Sequence, residues 1–71
     1  MPNIELLKTK ISDSGITMTN IAKKSGIDRV TLYNRLAGVG EFTASEIMGL
    51  SDTLKLSKPE REKIFFSRGS T

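Results

Sequence analysis

The sequence contains no cysteine and no histidine among its 71 residues. Disulfide bonds, thiolate zinc sites, cysteine nucleophiles and imidazole acid–base catalysis are therefore excluded together. It also has no tryptophan, one tyrosine and three phenylalanines, so few large aromatic side chains are available for a core. A chain of this length buries only about 60% of the surface that its unfolded state exposes. We therefore expect a single domain over residues 1–71, stabilised by helix packing and helix capping.

Long apolar runs are absent as well. No stretch approaches the roughly 18 apolar residues that a membrane-spanning helix needs, and the first residues lack the charged start and apolar stretch of a secretory signal. We therefore expect a cytoplasmic protein without a membrane partner. No glycine-rich phosphate loop, metal-ligand cluster or nucleophile–base pair can be assembled from these residues, so we expect no catalytic residue, no metal site, no cofactor and no enzyme activity.

The charged residues are unevenly distributed along the chain. Eleven basic and eight acidic residues give a formal charge of +3. The whole excess lies in residues 1–40, which carry six basic and three acidic side chains, whereas residues 41–71 carry five of each. Two explanations remain open at this point: a patch that faces phosphates, or a solvated surface of a small protein.

Apolar spacing and capping residues predict five short helices and no strand, which is an all-α fold. Thr43-x-x-Glu46 and Ser57-x-x-Glu60 have the pattern of capping boxes, and Gly15 is placed to end the first helix. These signals place the helices at about Asn3–Asp13, Met18–Ser25, from the cap Asp28 to before Gly38, Ala44–Lys55 and Lys58–Ser67, followed by a frayed tail over Arg68–Thr71. The side chains expected to face the core are Ile4, Leu7, Ile11, Ile21, Ala22, Leu32, Leu36, Ile47, Leu50, Leu54, Ile64 and either Phe65 or Phe66.

The second and third predicted helices have the features of a helix-turn-helix at about residues 17–38. Ala22 is small where the two helix axes must approach, and Gly26 permits a backbone shape that a side chain would oppose. Ile27 and Leu32 are placed to fill the angle between the helices. The second helix of this pair, which starts at Asp28, is therefore the candidate recognition helix.

The segment TMTNIAKKSGIDRVTLYNRLAG resembles the lambda-repressor-like helix-turn-helix family, which includes phage and bacterial repressors and Cro-like regulators. The segments GEFTASEI and EREKIFF are similar to the fourth and fifth helices of small regulators from phages of Gram-positive bacteria. The resemblance covers nearly the whole chain and implies a compact five-helix domain. Two residues depart from the family's pattern: Met18 stands where glutamine is common, and Arg35 stands where an apolar residue is frequent.

The resemblance also implies which residues bind, because the family docks the start of its second motif helix in the major groove. Arg29 can donate two bonds to guanine, Asn34 can pair with adenine or a phosphate, and Val30 can contact a thymine methyl group. Tyr33 can stack on the backbone or donate to a phosphate. The residues expected near phosphates are Thr17, Lys23, Lys24, Thr31 and Arg35. A solvated helix face or a capping role is the competing interpretation for each of them.

Two functions from different classes follow. The first is a transcription regulator that reads double-stranded operator DNA as a homodimer, since one recognition helix reads only a few base pairs. The second is an antirepressor, a modulator of repression that binds a partner repressor protein through its helix-turn-helix surface. The apolar anchors for such an interface would come from Met18, Val30, Leu32, Tyr33, Phe65 and Phe66. Of these, Leu32 and one phenylalanine are expected in the core instead.

Overall fold

The computed structural model describes residues 2–66, which form five α-helices. The helices are α1 (Ile4–Ser14), α2 (Met18–Ser25), α3 (Arg29–Leu36), α4 (Ala44–Leu54) and α5 (Lys58–Phe65). No strand occurs within the described residues, so the expected all-α class is confirmed. α4 packs against α1, α2 and α5, while α3 packs mainly against α2. The radius of gyration is 11.1 Å, in agreement with the roughly 11 Å of a compact domain of this length.

Side-chain caps begin the four later helices where the sequence predicts them, whereas Asn3, predicted to lie inside the first helix, is its cap, and that helix runs to Ser14. Thr17 Oγ1 accepts from the N–H of Asn20 at 3.2 Å, and the Asp28 carboxylate accepts from the N–H of Val30 at 3.1 Å. Both predicted capping boxes are formed; in the one that starts α4, Thr43 and Glu46 exchange side-chain and backbone bonds. These bonds satisfy first-turn amides that have no partner within their own helix.

The helix ends follow the sequence less closely. Gly15 takes a left-handed conformation with φ of 72° and closes α1, as predicted. The prediction that the fourth helix includes Lys55 is wrong, because Lys55 turns into the left-handed region with φ of 53° and α4 ends one residue earlier. The fifth helix ends at Phe65 and Phe66 is its C-cap, so the predicted continuation through Phe66 is wrong. Ser67 and the predicted frayed tail Arg68–Thr71 lie outside the described residues.

The core contains most of the apolar residues that helical spacing predicts, whereas Ile4, Ile47 and Leu54 are only partly buried against it. Phe65 is buried and meets the ring of Phe42 edge-on, with ring centroids 5.2 Å apart, whereas Phe66 is 58% exposed. Phe65, and not Phe66, is therefore the phenylalanine that faces the core. The buried apolar residues are Leu7, Ile11, Ile21, Ala22, Ile27, Leu32, Leu36, Leu50, Ile64 and Phe65.

A close backbone approach joins α2 to α4. A methyl group added at Gly49, in the middle of α4, would overlap the backbone carbonyl of Ser25 at the end of α2. Beside this contact, Ser25 Oγ donates to Thr53 Oγ1 at 3.0 Å. The glycine costs helix propensity but allows α2 to lie directly against α4. Because α3 follows α2 through a short turn, this contact also sets the position of α3.

Candidate nucleic-acid interface

The four residues predicted to contact bases form one exposed stripe on α3. Leu32 and Leu36 turn to the core and leave the other side of the helix in solvent. Residues three and four positions apart lie side by side on a helix surface. The stripe consists of Arg29, Val30, Tyr33 and Asn34, and its two large apolar members, Val30 and Tyr33, are 65% and 52% exposed.

The turn between α2 and α3 is built on Gly26. Its φ of 73° lies in the left-handed region, and its N–H donates to carbonyls of the last turn of α2. A Cβ at this position would meet nothing within 4 Å, so the backbone angle and not lack of space demands glycine. Ile27 follows as a buried plug whose N–H donates to the carbonyl of Ala22 at 3.0 Å. The turn therefore holds the start of α3 at a defined position against α2.

Arg29, the first residue of α3, is tied to the first turn of α2. Its NH1 atom donates to Thr19 Oγ1 at 3.3 Å, and both side chains are exposed. The carboxylate of the neighbouring Asp28 is used to cap α3. Within residues 2–66, Arg29 forms no ion pair. The sequence did not predict the role of Thr19, because the spacing of Thr19 and Arg29 along the chain does not indicate that they are in contact.

The residues predicted to lie near phosphates are not all equivalent. Lys23 and Lys24 are exposed in the last turn of α2, and neither forms an ion pair within the part of the chain that the structure describes. Thr17 is exposed and caps α2, and Thr31 is half-buried on α3. The two lysines are thus the cations that stand in solvent beside the α2–α3 turn.

Arg35 occupies a different environment from the other predicted phosphate contacts. It is half-buried, its Nε donates to Glu46 Oε1 at 3.3 Å, and its NH1 donates to the carbonyl of Val39 at 3.2 Å. The same oxygen of Glu46 accepts from the N–H of Thr43 at 3.0 Å. The guanidinium expected to meet a phosphate is therefore engaged inside the protein, where it joins the end of α3 to the start of α4.

A second exposed apolar region lies away from α3. It is a shallow groove of about 450 Å³ between the start of α4 and α5, and no residue of α3 lines it. Met48 and Phe66 are its exposed apolar side chains, and Arg61 borders it. This groove contributes nothing to the stripe on α3.

One ion pair perturbs a titration. Lys10 of α1 donates to the carboxylate of Glu60 on α5. This hydrogen bond, followed by the capping bond from the N–H of Ser57, holds the pKa of Glu60 at about 2, below its ordinary value of 4.5. The pair joins α1 to α5 and has no member on α2 or α3.

Among residues 2–66, no group of three or more acidic side chains is arranged to hold a metal ion. No helix in that range is long and apolar enough to cross a membrane.

No model of a known protein family, no curated protein and no solved structure matches the chain.

Proposed function

We propose that the protein is a sequence-specific DNA-binding transcription regulator in which α2 and α3 act as a helix-turn-helix. The observation that carries the proposal is the stripe on α3, where a cation, an amide, an aromatic hydroxyl and a branched apolar side chain are exposed together. Arginine, asparagine and apolar side chains read base edges in the major groove, and a tyrosine hydroxyl can donate to a phosphate.

The charges beside the stripe support the same function. Lys23 and Lys24 lie in solvent near the turn, where they can meet phosphates beside a groove that α3 enters. Such contacts fix the position of a protein on the duplex, and they make its affinity depend on salt. Contacts with phosphates would account for part of the excess of positive charge in residues 1–40.

The length of α3 favours a pair of subunits on DNA. Its eight residues extend over about 12 Å, which covers only a few base pairs. A two-fold pair of subunits doubles the contacts and reads two half-sites about one helical turn apart. We therefore propose binding as a homodimer to double-stranded operator DNA in the cytoplasm.

The test begins with selection of preferred duplexes from a random pool, followed by titrations over a range of salt. Changing Lys23 and Lys24 together to glutamine should flatten the plot of log affinity against log salt by about 1.8 per subunit, at about 0.9 for each phosphate contact. The preferred sequence should stay the same. Lys58 and Lys63 on α5, changed together to glutamine, are the charge-matched control and should leave the slope unaltered.

Arg29→Ala should act differently from the lysine changes. It should relax the preference at one base pair and cost about 1 to 3 kcal/mol there, because a bidentate contact with guanine is lost. A selection that returns no preferred sequence, together with equal affinity of wild type and Arg29→Ala for every duplex, would refute the proposal.

A protein partner is the second candidate function, favoured by the exposure of Val30 and Tyr33 on α3. In that case the chain is an antirepressor that covers the DNA-binding surface of a repressor. Affinity for the repressor should fall on Tyr33→Ala and respond only weakly to salt, chiefly through the association rate. Absence of salt-sensitive DNA binding at about 50 mM salt, with a stable repressor complex, would decide for this function.

A further inference from the structure

The contact between Thr19 and Arg29 has no part in the proposed function as stated so far. It joins the first turn of α2 to the first residue of α3, through NH1 of the guanidinium and the threonine hydroxyl at 3.3 Å. Both side chains are exposed, so the contact adds little to the stability of the fold. A role in recognition would explain what it does.

We propose that Thr19 is a specificity-determining residue that orients Arg29 toward a guanine base. This inference rests on the proposed function. The guanidinium is planar and donates in parallel pairs. When NH1 is held by Thr19, the edge formed by Nε and NH2 remains for the O6 and N7 acceptors of guanine. Thr19 would thereby select which edge of Arg29 enters the groove.

The charge of Arg29 is preserved by this arrangement. A hydroxyl accepts a hydrogen bond without neutralising the cation, whereas a carboxylate partner would compete with the acceptors of the base. Within residues 2–66, Arg29 has no such carboxylate partner, and Asp28 is occupied in capping α3. Arg29 is therefore oriented by Thr19 without a carboxylate partner that DNA would have to displace.

The position of Thr19 is itself well determined. Thr17 caps α2, and Met18 packs against the core on the inner side of the helix. Thr19, which follows Met18, is therefore turned outward. A β-branched side chain in a helix has few χ1 rotamers, which limits the positions of its hydroxyl. Arginine has much rotamer freedom to lose on binding, and an anchored NH1 reduces that loss.

The experiment compares Thr19→Val, which keeps the shape and removes the acceptor, with Thr19→Ser, which keeps the hydroxyl. Arg29→Ala first identifies the base pair that Arg29 reads. At that base pair Thr19→Val should reduce the preference for guanine by about three- to ten-fold, the effect of one hydrogen bond, and Thr19→Ser should retain most of it. Thr9→Val on α1 is the matched control, because Thr9 is also an exposed helical threonine.

Two further measurements separate orientation from general damage. The melting temperature, the affinity for non-specific DNA and the salt slope of Thr19→Val should equal those of wild type. In the free protein, the NMR order parameter of the Arg29 Nε–H group should fall on Thr19→Val and stay unchanged on Thr9→Val.

Unchanged guanine preference on Thr19→Val, while Arg29→Ala loses it, would overturn the role of Thr19 and leave the proposed function standing. Equal losses for Thr19→Val and Thr19→Ser would also overturn it, because the hydroxyl would then not be the cause. If wild type and Arg29→Ala both lack any base preference, the proposed function and this inference fall together.

Discussion

Gly49→Ala provides a sharp test of how α2 is held against α4. In an ordinary helix interior this change stabilises the folded state by about 1 kcal/mol, because alanine has the better helix propensity. Here the added methyl group would overlap the backbone carbonyl of Ser25, which is not the flexible end of a side chain. The two helices must separate, and the Ser25–Thr53 hydrogen bond must lengthen with them.

The sign of the net effect follows from the sizes of the two contributions. Overpacking a well-packed contact costs about 1 to 3 kcal/mol, and a backbone obstacle belongs at the upper end of that range. After subtraction of the gain in propensity, we expect Gly49→Ala to lower the free energy of unfolding by about 1 to 2 kcal/mol. For a domain of this size, that corresponds to a fall in Tm of about 5 to 15 °C.

Thermal and urea unfolding measure this difference directly. The neighbouring exposed residue Met48 supplies the calibration, since Met48→Ala should be about 1 kcal/mol more stable than Met48→Gly in the same helix. If the Met48 pair behaves in this way and Gly49→Ala melts at or above the wild-type temperature, the close approach of α2 and α4 is refuted.

Three other predictions concern the turn and the two ion pairs. Gly26→Val should lower the unfolding free energy by about 1 to 3 kcal/mol, because the φ of 73° at this position strains valine although the space is open. Gly26→Asn should lose less stability than Gly26→Val, and equal melting temperatures for these two variants would contradict this. The pKa of Glu60 is lowered to about 2, so the stability from its pair with Lys10 is complete above about pH 4.5 and is lost as the pH falls toward 2. Lys10→Met should flatten that part of an acid-unfolding curve, and an unchanged curve would count against the pair. A double-mutant cycle of Arg35→Met and Glu46→Gln should give a coupling free energy of about 1 to 2 kcal/mol, above the value for exposed ion pairs. A coupling free energy near zero would refute the contribution of the Arg35–Glu46 pair to stability.

Local structure was largely predictable from the sequence. The caps Thr17 and Asp28 and both capping boxes are formed, because each depends on residues only two or three positions apart. The start of each of the four later helices follows from these signals. The end of a helix depends on the φ and ψ angles of one residue. Lys55 takes the left-handed region there although it is not glycine, and its residue type did not predict this.

The candidate site was predictable only in part. Helical spacing sufficed to place Arg29, Val30, Tyr33 and Asn34 together, once Leu32 and Leu36 were recognised as core residues. Spacing could not distinguish Arg35, whose charge looks like that of the exposed lysines. Its engagement with Glu46 depends on where the start of α4 lies, and no periodicity within α3 contains that information.

The sequence by itself determined which segments become helices, which side of each helix is apolar and which residues cap the four later helices, since these properties arise from interactions within about one helical turn. Only the tertiary structure decided which polar groups meet across elements. The bond from Arg29 to Thr19, the junction of Arg35 with Glu46 and the pair Lys10–Glu60 all join residues ten or more positions apart. Such pairs form because packing of the apolar faces brings their helices together, and that packing is a property of the whole chain.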